Sequence, residues 1–149
     1  MRTAVFTNIL CPVDFSEDSE RALATALALA RAAHGHVTIV TVVDPLLNAG
    51  ASAAGAHGVL VAQTQQELQT LLDRAAPGLP SDSVPAVSIR VGSPAGEILA
   101  QADEANADII VMGMRGLGAA QKLLLGSTSQ RVLEKAAIPV LVVPPVARR

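Results

Sequence analysis

Three glycines and three consecutive hydroxyl residues carry the strongest chemical signal in this sequence: Gly113, Gly116 and Gly126, the last followed directly by Ser127, Thr128 and Ser129. Glycine lets a backbone approach an anion closely. The N–H groups that open a helix point at such an anion, with the positive end of the helix dipole behind them. The stretch follows an apolar run, Ile109, Ile110, Val111 and Met112, and leads into a helical pattern beginning near Ser127. Strand, glycine loop and helix start together make an anion cradle. Two familiar phosphate loops do not fit it. A P-loop requires Gly-Lys-Ser/Thr after the spacer, and Gly118 is followed by Ala119. A dinucleotide fingerprint requires a third glycine where Gln121 stands.

The elements that must position this loop follow from hydrophobic periodicity. Residues 5–13 read as a first strand, ending at Pro12, Val13 and Asp14. Ser16 is a good N-cap for a first helix, with Glu17 and Asp18 in its favourable first turn and Gly35 as its stop. Residues 37–43 are β-branched almost throughout, as suits a strand covered on both faces, and include Val42. Residues 46–58 carry no clear period and read as a mobile loop with room for some helix. A second helix is expected over 59–74, a third strand over 84–91, and a third helix opened by Ser93-Pro94 with Ile98 in its apolar stripe. A fourth strand over 108–112 precedes the glycine loop. Ser127 and Gln130 suggest a capping box for the last helix, and residues 138–143 a fifth strand.

Strands alternating with helices imply one domain, an α/β fold with a doubly wound five-stranded parallel sheet and helices on both faces, Rossmann-like in plan. Ligands bind such sheets beyond the carboxyl ends of the strands, where strand order reverses. If the first and fourth strands are neighbours, Asp14 and the glycine loop face one crevice.

Composition excludes several functions. The chain has 149 residues, half of them apolar and 16% charged, with net charge −2, two Phe and neither Tyr nor Trp. A basic footprint and stacking aromatics for nucleic acid are therefore both missing. The sequence shows no signal peptide and no apolar run of membrane-spanning length, so a soluble cytoplasmic protein without membrane or nucleic-acid partners is expected. Cys11 is the single cysteine, placed in a buried strand without an obvious base, and reads as an inert core thiol. The three histidines have no metal-site spacing.

The spacing Gly113-x2-Gly116-x9-Gly126-Ser127 resembles the nucleotide-binding branch of the universal stress protein family, matching its pattern Gly-x2-Gly-x9-Gly-Ser/Thr at every defined position. The likeness extends along the chain, through residues 8–14, through Arg90-Val91-Gly92-Ser93-Pro94, and through Leu123-Leu124-Leu125-Gly126-Ser127 and Pro139–Val143. The resemblance implies a fold like that of the adenine nucleotide alpha-hydrolases and a crevice that holds ATP, with Mg²⁺ or Mn²⁺ as its possible companion. In it, Gly113 and Gly116 would give close backbone approach, and Gly126, Ser127, Thr128 and Ser129 would bind phosphate oxygens. Asp14 would meet the ribose; Val42, Met112 and the backbone of Pro12 and Val13 would border the adenine. The family also implies a homodimer formed through the edge strand Val140 to Val143.

Plainer readings stand beside these. The glycines also suit turn geometry alone, Asp14 fits equally a strand end that caps the next turn, and Val42 is core-compatible in any case. Arg115 and Lys122 are candidates to reach phosphate, or simply face water. No general base or lysine clamp is legible, so the expected activity is binding, with at most slow ATP hydrolysis. The remaining alternatives are a phosphoryl-transfer protein and a nucleotide-independent dimeric interaction protein.

Overall fold

A computed structural model describes residues 6–116 and 124–146. Five parallel strands lie in the order β3-β2-β1-β4-β5, with β1 Asn8–Pro12, β2 His36–Val43, β3 Ala86–Val91, β4 Ile109–Gly113 and β5 Val140–Val143. Strands β1 and β4 are neighbours in register at Ile9 with Ile109 and Leu10 with Ile110. The strand order therefore reverses between them, as the expected shared crevice requires.

Alternation along the central strands explains why both faces are covered. Ile9, Cys11, Val37, Ile39, Ile109 and Val111 point to a layer formed by α1 (Glu17–Ala33) and α3 (His57–Ala75). Leu10, Val40, Ile110 and Met112 point to the opposite layer, where Ala95, Ile98 and Ala102 of α4 (Pro94–Glu104) meet Val132 of α5 (Ser127–Lys135). Strands buried on both faces must be apolar at nearly every position, which is how β1 and β4 read.

Local signals account for some of the helix ends. The Ser16 hydroxyl accepts from the Ser19 N–H and caps α1 as expected. The left-handed residue that ends α1 is His34, at φ 52°, one position before the glycine expected to stop it. The Ala- and Gly-rich segment read as a mobile loop with room for some helix contains α2, Pro45–Ala53. Asp44 caps α2 by accepting from the N–H groups of Leu46 and Leu47 at 2.7 and 3.2 Å, with Pro45 at the first helical position. No residue of α2 is buried, so no apolar period announces it. The expected capping box at α5 is also corrected: Gly126 is the N-cap, Ser127 is already helical, and Gln130 reaches forward to Glu134. Val5, Gly118, Ala119, Gln121, Lys122 and Leu123 lie outside the described residues.

Candidate functional site

Two loops from distant parts of the chain meet at the carboxyl ends of β1 and β4. Phe15, directly after Asp14, holds φ 65°, a left-handed conformation uncommon for a bulky residue. This turn folds Ser16 back so that its N–H and hydroxyl both donate to Asp14 Oδ1. From the other loop, Gly116 abuts the same carboxylate: a Cβ built there would sit 2.7 Å from Asp14 Oδ2.

The glycine loop is fixed from three directions. Met114 N–H donates to Val143 O of β5 at 3.2 Å, and Gly126 N–H returns to Met114 O at 2.8 Å. The buried Ser129 hydroxyl donates to Gly113 O at 2.9 Å, tying α5 to the end of β4. From α1, Asp18 takes hold of Arg115. Its Oδ2 accepts from the Arg115 backbone N–H at 3.0 Å and from Nε at 3.1 Å, and its Oδ1 accepts from Nη2 at 3.3 Å. The Asp18 side chain is 7% exposed and that of Arg115 is 21% exposed. These hydrogen bonds raise the guanidinium further above its ordinary value.

A cavity of about 490 Å³ opens where these pieces meet, a size that suits a small organic ligand. All twelve residues proposed from sequence line it: Pro12, Val13 and Asp14 from the end of β1, Val42 from β2, Met112, Gly113, Arg115 and Gly116 from β4 and its loop, and Gly126, Ser127, Thr128 and Ser129 from the start of α5. Val40, Pro94 and Ile98 extend its apolar wall, and Ser19 and Leu124 also border it. The first-turn N–H groups of α5 have no intrahelical acceptors, and the N-cap Gly126 has no side chain to supply one. The cavity thus offers apolar strand and helix surface together with N–H donors and hydroxyls.

Two roles change on inspection. The missing side chain of Gly113 is not space kept for a ligand: a Cβ there would lie 2.8 Å from both the carbonyl carbon and the Cβ of Asp18. It is a glycine because β4 and α1 pack backbone to backbone. Arg115 is not a solvent-facing cation either, because its guanidinium is held by Asp18. Asp18 itself was legible only as an acidic first-turn residue, since its partner lies 97 positions away. Pro94 and Ile98 had a weak signal, as the first turn of a helix that follows a parallel strand lies at the ligand end of the sheet. Cys11 is fully buried, and burial pushes its thiol up to about 12, in keeping with an inert core role. Among the described residues no group of three or more His, Cys, Asp or Glu is arranged to hold a metal, and no helix is long and apolar enough to cross a membrane.

Fold and crevice together define a doubly wound α/β protein with a ligand-sized cleft at the switch in strand order. The chain belongs to the universal stress protein family, whose sequence model matches residues 6–144. A universal stress protein encoded in the QAH/OAS sulfhydrylase 3′ region of Thermus aquaticus is 34% identical over 139 residues, covering 93% of this chain and 99% of that protein. Among solved structures, that of the hypothetical protein MJ0577 superimposes with a TM-score of 0.78 at 28% identity, covering 97% of this chain and 100% of the other. A universal stress protein crystallised in complex with cAMP gives a TM-score of 0.68 at 27% identity, covering 94% of this chain and 98% of the other.

Proposed function

We propose that this protein is a nucleotide-binding stress-response module of the cytoplasm that holds ATP in the crevice between β1 and β4. The observation that carries the reading is the gathering of the apolar strand ends, Asp14 and the open start of α5 around one cavity of about 490 Å³. An adenine fits against Val42, Met112 and the backbone of Pro12 and Val13, where apolar walls suit a flat base. The ribose falls to Asp14. Phosphate oxygens take the backbone at Gly116 and Gly126 and the N–H groups and hydroxyls of Ser127 and Thr128. A structural relative bound to cAMP supports the adenine-nucleotide class.

Mg²⁺ or Mn²⁺ would ride on the phosphates, with the hydroxyls of Ser127 and Thr128 as its protein ligands. Retention of ATP, with at most slow turnover, is favoured because no described residue at the cavity is arranged as a general base and Arg115 is committed to Asp18. The open edge at β5 is the proposed homodimer seam, with Leu141 37% exposed on it.

Isothermal titration with ATP and Mg²⁺ tests the reading, and saturable heat at one site per chain is expected. An absence of heat at high protein concentration would instead favour a nucleotide-independent interaction protein. Assay of the bound nucleotide after prolonged incubation separates retained ATP from released ADP.

A further inference from the structure

Arg115 and Asp14 are the charged residues among the described lining of the cavity, and Arg115 is the cation. That cation is already spoken for. Asp18 binds its guanidinium through both carboxylate oxygens, and the same carboxylate holds the Arg115 backbone N–H. The Asp18 side chain is 7% exposed, so little of it faces solvent and the guanidinium supplies its main charged partner. An arginine side chain that swung to a phosphate would leave the buried carboxylate with the Arg115 backbone N–H but without its cation, a costly state. Asp18 is itself fixed: it lies in the first turn of α1, with Gly113 packed directly on its backbone.

We infer that Asp18 determines how the crevice discriminates phosphate number, by withholding the Arg115 charge from the ligand. The inference rests on the adenine-nucleotide reading above. Phosphates then meet N–H dipoles and hydroxyls from the described residues rather than a free guanidinium. Each added phosphate gains less than it would at a site with an arginine aimed into it. Asp18 is a positioning residue: it acts through Arg115 and touches no ligand.

The test compares AMP and ATP affinities at one ionic strength in the wild type, in Asp18→Asn and in the double variant Asp18→Asn/Arg115→Gln. Freeing the guanidinium in Asp18→Asn should raise the ATP-to-AMP affinity ratio by about tenfold or more, the size of one added charge-assisted hydrogen bond. The double variant replaces the buried ion pair by a neutral pair of similar shape, which is well tolerated in protein interiors. It should keep the wild-type ratio within about twofold. An unchanged ratio in Asp18→Asn, or a tenfold fall in the double variant, would overturn the inference, because Arg115 would then already serve phosphate.

The ¹⁵Nε resonance of Arg115 in the wild type gives a readout that survives without nucleotide binding. A protected Nε–H that disappears in Asp18→Asn is expected, and it should stay in place when ATP is added. Rapid exchange in the free wild type would refute the sequestration by itself. Failure of both AMP and ATP to bind, with that resonance protected, would instead sink the nucleotide reading alone.

Discussion

Replacing Gly113 by alanine asks whether this glycine serves a ligand or the fold. Its backbone is not in the left-handed region, so alanine meets no conformational penalty there. In open space the change would stabilise the protein by about 0.4–1 kcal/mol through the unfolded chain. Here the new methyl would lie 2.8 Å from the Asp18 carbonyl carbon and 2.9 Å from its oxygen, and backbone atoms inside a helix cannot rotate away. Either α1 lifts from β4 or the strand end shifts. Overpacking of this kind costs about 1–3 kcal/mol. For a domain of this size each kcal/mol lowers the melting temperature by roughly 2–4 °C, so a fall of about 2–12 °C is expected. Asp18→Ala should not rescue it, because the offending carbon and oxygen belong to the backbone. Gly126→Ala is the milder comparison, since its Cβ would come no nearer than 3.3 Å to Met114 O and asks only a shift of a few tenths of an ångström. Its melting temperature should stay close to that of the wild type while nucleotide affinity falls. Thermal melts combined with titration of the folded protein decide the matter. A Gly113→Ala protein that melts like the wild type and has lost only nucleotide binding would refute the packing argument and restore a ligand role to this position.

Burial of Cys11 predicts a pH effect. Its thiol is pushed up to about 12, above the ordinary value of 9.0, so the native state holds a proton that the unfolded chain releases. Stability is therefore complete below about pH 9 and is lost as pH rises toward 12, by up to about 1.4 kcal/mol per unit. Urea melts of wild type and Cys11→Ala compared across that range should diverge in slope, and parallel curves would contradict it. Asp44→Ala removes two hydrogen bonds from the start of α2 and should cost that helix about 1 kcal/mol. Because α2 buries no residue, hydrogen exchange should accelerate in 45–53 with little change in the global melt. Leu141→Lys places a charge on the exposed edge of β5 and should shift sedimentation from dimer to monomer; a monomeric wild type would remove the proposed seam.

What could be read from the sequence was whatever repeats or lies close along the chain. The two-sided strands and the Ser16 cap announce themselves within a few residues, and the parallel sheet then follows from alternation. The glycine spacing pointed to residues that line one cavity because the loop is continuous in sequence. Features set by distant contacts were illegible. Nothing near Gly113 says that its missing side chain makes way for α1, and nothing near Asp18 names Arg115 as its partner. Helix α2, expected only as some helix within a mobile loop, had a local signal, an aspartate before a proline at the first helical position, but no buried face to give it a period. The shift of the α5 cap from Ser127 to Gly126 is one residue wide, yet it means that no hydroxyl closes the helix and that Ser127 lines the cavity as its first helical residue.

The meeting of β1 and β4 at the centre of the sheet also sets when the crevice can exist. Asp14 sits near one end of the chain and Ser127 near the other, with two helical layers threaded between them. The crevice is therefore complete only once the chain has been made through α5, because Gly126, Ser127, Thr128 and Ser129 form one of its walls. Long-range closure of this kind slows folding relative to local structure. The nucleotide proposed for the crevice would protect finished molecules from unfolding, by mass action, while leaving nascent ones untouched.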